Sequence, residues 1–103
     1  MISKGLYEIL KQWQTDATSA EPSFDAQTRG LCHYIGEHGS VCAQYEFNEL
    51  LYAEFANKAT HPFNTTIFNY FRERGLRHRN PARLAWVQAK LAEYEEAHNG
   101  TAA

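Results

Sequence analysis

The sequence predicts an all-α fold, a compact bundle of four to five short helices in one domain. Three observations predict it. Apolar residues recur at i, i+3, i+4 and i+7 in the first and last segments, the period of a helix with one buried face. Clusters of Gly, Pro and small polar residues separate the periodic stretches. At 103 residues the chain can bury one hydrophobic core but not two.

The first helix carries Leu6, Ile9, Leu10 and Trp13 on one stripe, with Ser3 placed to cap it. Asp16 to Ser23, small and polar and containing Pro22, reads as a loop. A second helix is expected to begin near Ser23 or Asp25 and to run through Gly30 and Ile35, ending at Gly36 or Gly39. Leu31, Cys32 and Ile35 would face inward, and Gly30 would weaken this helix by about 1 kcal/mol relative to alanine. The third helix is predicted over Tyr45 to Phe55, with Phe47, Leu50, Leu51 and Phe55 in helical register.

After the break at His61-Pro62-Phe63-Asn64, a short fourth helix would carry Ile67, Phe68, Tyr70 and Phe71 and close at Gly75. Its aromatic and β-branched content also suits a strand, so the alternative is an α+β fold with a hairpin near 63–77. Asn80-Pro81 is the strongest start signal, an N-cap followed by proline at the first helical position. Leu84, Val87, Leu91 and Tyr94 follow in register, with Ala85 and Trp86 beside them. Residues 1–98 thus form a single predicted domain, and 99–103 a disordered tail.

Composition narrows the function classes. Hydrophobic residues make up 44% and charged residues 21%, which excludes a disordered chain. Aromatics reach 14%, enough to serve both a small core and an interface. A homodimer that buries part of this excess is one expectation. No apolar run approaches the roughly 20 residues of a membrane span, and Lys4, Glu8 and Lys11 interrupt the N-terminal segment, so neither an anchor nor a signal peptide is expected. The expected location is cytoplasmic. Cys32 and Cys42 agree with a reducing compartment.

The net charge of −2 excludes a globally basic nucleic-acid binder. Its distribution is uneven. Residues 72–83 hold five of the ten basic residues and one of the twelve acids, giving +4 there and −6 elsewhere. Arg72, Arg74, Arg77, His78, Arg79, Arg83 and the adjacent Trp86 are the candidate partner-binding residues. Arginine's planar fork suits carboxylates on a protein surface, and a basic segment flanked by aromatics also suits phosphates or a single strand. The same arginines could instead pair with the acids of their own chain. The acidic remainder favours a protein partner, because it would repel a duplex extending past the segment.

Catalytic and metal-binding patterns are weak by comparison. Cys32, His33, His38 and Cys42 lie close in sequence, but they lack the paired-cysteine knuckle of structural zinc sites, and neighbours on a helix point about 100° apart. Cys32 is expected late in its helix, where the dipole disfavours a thiolate, and Cys42 at a helix start. Glu46 and Glu49 share a helix face, as do the carboxylates of many solvated helices, and Glu95-Glu96 read the same way. Gly36 to Gly39 lacks the lysine of a phosphate loop. The expectation is a protein that is not an enzyme, with no catalytic residue, no metal and no cofactor.

Gly30-Leu31-Cys32, Glu49-Leu50-Leu51 with Phe55, Pro62-Phe63, Tyr70, and Arg83-Leu84 with Trp86-Val87 resemble in layout a group of small phage-encoded accessory proteins. The resemblance spans residues 29 to 94 and departs from the group between Asn64 and Arg79. It implies an accessory gene product that binds a host factor or a bacterial defence protein stoichiometrically, in the host cytoplasm. It carries over no catalytic residue.

Overall fold

The computed structural model describes residues 1–28, 30–55 and 81–99. These form five helices and, among the described residues, no strand: α1 (Lys4–Ala17), α2 (Phe24–Thr28), α3 (Leu31–His38), α4 (Val41–Phe55) and α5 (Pro81–Asn99). The all-α bundle is as expected. The fourth helix or hairpin expected near 63–77 lies outside the described residues. Asn99 belongs to α5, and the rest of the expected tail is likewise outside them.

Helix α1 is the hub, packing against each of the other four. Its stripe of Leu6, Ile9, Leu10 and Trp13 is buried, joined by Ile2 and Ala17. Leu31, Tyr34 and Ile35 from α3, Ala43, Phe47 and Leu51 from α4, and Trp86, Val87 and Leu91 from α5 complete a single core cluster.

Two helix starts use the same polar device. At α1 the backbone of Ser3 is extended (φ −76°, ψ 165°) and its Oγ accepts the Leu6 N–H at 3.2 Å. The Glu46 carboxylate, from α4, accepts both the Ser3 N–H (2.8 Å) and the Ser3 hydroxyl. At α2 the Ser23 Oγ accepts the Ala26 N–H at 3.2 Å, and Asp16 accepts the Ser23 N–H at 2.7 Å and its hydroxyl at 2.5 Å. In each case a carboxylate grips the capping serine and adds negative charge where the helix dipole is positive. Each also ties one helix to another.

The structure departs from the sequence reading in three places. The expected continuous second helix is two helices, because Gly30 is extended (φ −69°, ψ 157°) and serves as the N-cap of α3. Cys32 therefore lies in the first turn of α3, not late in a helix. Helix α4 starts four residues before Tyr45, at Val41, where the Ser40 Oγ accepts the Ala43 N–H at 3.1 Å. The close of α3 is as anticipated, with Gly39 as its C-cap. A Cβ at Gly39 would lie 2.9 Å from the Ile35 carbonyl oxygen and 3.0 Å from Ile9 Cγ1, so the absent side chain lets the α3–α4 turn settle onto α1.

Candidate functional site

Of the predicted binding residues, Arg72, Arg74, Arg77, His78 and Arg79 lie outside the described residues. Arg83 and Trp86 do not lie on the surface: Arg83 is 1% exposed and Trp86 is 8% exposed. The cause is helical register. Residues 83, 87, 91 and 94 fall on the inner stripe of α5, and 86 flanks it. The Trp86 indole donates to Glu54 at 3.1 Å, and its ring meets Phe47 edge-on at 5.7 Å. The second Glu54 oxygen pairs with Lys90 at 2.5 Å, so one carboxylate bridges α4 and α5. Trp86 is thus a core anchor for α5, and any contact surface must use other residues.

Cys32, His33, His38 and Cys42 are not brought together. Cys32 donates to the Asn48 side chain at 3.2 Å, His38 pairs with Asp25 at 2.9 Å, and both thiols are free. Among the described residues, no group of three or more His, Cys, Asp or Glu side chains could hold a metal ion. Glu46 and Glu49 also separate in role. Glu46 caps α1, whereas Glu49 is exposed and has no hydrogen bond or ion pair among the described residues.

Two surface features remain. The first is an open groove of about 520 Å³ along α1, lined by Tyr7, Lys11, Gln12, Asp16 and Tyr34 among others. Most of its polar groups are engaged. Tyr7 donates to Glu95 at 2.8 Å, and Lys11 reaches both Tyr7 Oη (3.1 Å) and Glu95 (3.0 Å). The Tyr7 ring stacks on Tyr94 at 4.1 Å, and Tyr94 on His98 at 3.9 Å. The Tyr7 hydroxyl, and after it Glu95, holds the Lys11 pKa above its ordinary value; Tyr7, then Lys11, holds that of Glu95 below its own. At the other end Tyr34 donates to Asp16 at 3.2 Å. This groove is the seam between α1 and its neighbours.

Asp16 sets a pH dependence. Burial raises its pKa, but the hydrogen bonds from Ser23 and Tyr34 outweigh burial and leave it below the usual aspartate value. A depressed folded pKa gives stability that is present above the unfolded value and lost as pH falls through the folded one. Asp16→Asn is therefore expected to lower the melting temperature at neutral pH, with the gap closing below about pH 4. Thermal melts of both proteins across pH test this. A gap unchanged into strong acid would show that the carboxylate's charge contributes nothing.

The second feature is the outer face of α4. Val41, Tyr45 and Tyr52 are 64%, 67% and 78% exposed, opposite the buried Ala43, Phe47 and Leu51. Tyr45, Glu49 and Tyr52 stand at i, i+4 and i+7, one stripe of the helix. Beside Glu49 a cleft of about 290 Å³ is lined by Met1, Ile2, Glu46, Glu49 and Leu50. The sequence signal for this face was the offset of Tyr45 and Tyr52 from the apolar register of the same helix.

Fold and surface together define an all-α helical bundle with an exposed aromatic helix face. No protein-family model, curated protein or solved structure matches the chain. Among the described residues, no helix is long and apolar enough to cross a membrane.

Proposed function

We propose that the chain acts by stoichiometric binding and not by turnover: a phage accessory protein, working in the host cytoplasm, that occupies and inhibits or modulates a host or defence protein. The observation that carries this reading is the outer face of α4, where Tyr45 and Tyr52 stand in water on a helix tied to its neighbours at two points. Glu46 ties it to Ser3, and Glu54 ties it to Trp86 and Lys90. Large exposed rings on a rigid support suit protein interfaces, where tyrosine provides much contact area at small entropic cost. The sequence of residues 72–79, four arginines against the one acid Glu73, supplies the second element, because arginine suits carboxylates of a partner.

The partner is to be identified by tagged capture from the native host, with bound protein and nucleic acid both analysed. Arg77→Glu combined with Arg79→Glu is expected to weaken the captured complex by roughly tenfold or more, measured as Kd. Unchanged affinity in that double variant would remove the arginine segment from the interface. The concentration of positive charge also supports a second reading, nucleic-acid binding by residues 72–83. It predicts retention on nucleic acid that falls steeply with salt; no retention at low salt eliminates it.

A further inference from the structure

Helix α4 carries three carboxylates and neither lysine nor arginine. Two of the three have structural work. Glu46 holds Ser3 at the start of α1, and Glu54 holds the Trp86 indole and Lys90. Glu49 alone faces water with no hydrogen bond or ion pair among the described residues, and it stands between the exposed rings of Tyr45 and Tyr52 on one stripe. Next to it, the cleft lined by Met1, Ile2, Glu46, Glu49 and Leu50 combines apolar side chains with two carboxylates. The nearby Met1 ammonium faces Glu93 at 3.8 Å.

We infer that this face receives a basic segment of a protein partner, with one arginine or lysine side chain seated at Tyr45, Glu49 and Tyr52. The chemistry matches on three counts. Tyrosine rings attract a cation through their negative faces, most effectively a planar guanidinium that can also stack. Glu49 supplies the opposite charge. The aliphatic stem of a second basic residue fits against Met1 and Leu50 while its head stays near the carboxylates.

Charge also argues against a second α4 face and against phosphates. In an antiparallel pair of α4 helices from two copies, Glu46 and Glu49 would meet the same carboxylates of the second copy, with no cation on either helix. Phosphates would be repelled for the same reason. This inference rests on the reading of α4 as a contact surface, and it is separate from the arginine segment at 72–83.

The test uses the full chain and a fluorescein-labelled helical peptide bearing arginines at i, i+4 spacing, beside a matched peptide with glutamate in place of arginine. At physiological ionic strength only the arginine peptide is expected to bind, with backbone amide shifts centred on Tyr45, Glu49 and Tyr52. Glu49→Lys should weaken binding roughly tenfold, and Tyr45→Ala or Tyr52→Ala each by about three- to tenfold. Glu96→Lys, the same charge change at an exposed site on α5, should leave it unaltered. Thermal melts confirm that each variant is folded, as expected for exposed positions.

Several results would overturn the inference: no binding of the arginine peptide, equal binding of the glutamate peptide, equal loss from Glu96→Lys and Glu49→Lys, or a dimer in sedimentation that Tyr52→Ala dissolves. Once the native partner is captured, a complex sensitive to Arg77→Glu/Arg79→Glu but insensitive to Glu49→Lys would refute this inference and leave the stoichiometric-binding reading standing.

Discussion

Replacing Trp13 with alanine is expected to cost about 3–5 kcal/mol of stability, a large share of the roughly 5–15 kcal/mol that holds a small domain together. Trp13 is 1% exposed and is the largest fully buried side chain in the core. It projects from α1, which packs against each of the other four helices among the described residues. Truncation removes the transfer free energy of the ring and leaves a void in the core cluster. Urea unfolding followed by helical circular dichroism measures the loss. A cost under about 1 kcal/mol, the range of ordinary surface substitutions, would mean that α1 is not the packing centre described above.

The second large effect is expected at Arg83. Substitution by glutamate should abolish the cooperative unfolding transition at neutral pH, because a carboxylate would replace a guanidinium at a site 1% exposed. Arg83→Met keeps the apolar stem and should be distinctly milder, since part of what a buried arginine contributes is packing of its methylenes. Native-like melting of Arg83→Glu would place the side chain in water and contradict the register of α5. A consequence for mapping the basic segment follows: charge reversals belong at Arg77 and Arg79, and loss of binding in an Arg83 variant would report unfolding.

Arg83 also shows where sequence and structure part. Its position was legible, because 83, 87, 91 and 94 continue the inner stripe of a helix whose start at Pro81 was plain from Asn80-Pro81. Its residue type argued the other way, and grouping it with the arginines upstream placed it on a surface. Periodicity decides burial here, and charge does not override it. The stripe read on α1, Leu6, Ile9, Leu10 and Trp13, is buried throughout, and Ala17, expected in the loop, extends it.

Gly30 was readable as a weakness but not as a break. A glycine weakens a helix interior without forbidding it and sits readily extended at a cap, and Leu31 and Ile35 face inward in both cases. Ser40 could have signalled the true start of α4, being a good capping residue three positions before Ala43. Val41 and Cys42, both weak helix formers, add no periodic signal of their own between that cap and Tyr45. The exposed face of α4 was harder to see. Tyr45 and Tyr52 are as suited by residue type to a core as to an interface; their offset from the apolar register was the one hint, and the burial of Phe47 and Leu51 on the opposite side assigns them to water.

The central place of α1 has a temporal side. Tyr7 and Lys11 meet Glu95 across sequence separations of 88 and 84 residues, and the core that α1 begins is completed by Trp86, Val87 and Leu91. During synthesis the first helix emerges long before the last, so its apolar stripe stays partly uncovered until α5 leaves the ribosome. The long loop that must then close adds little further free energy with length but slows the search for native contacts. Folding should therefore be a late and concerted event, with no stable N-terminal half to accumulate on the way.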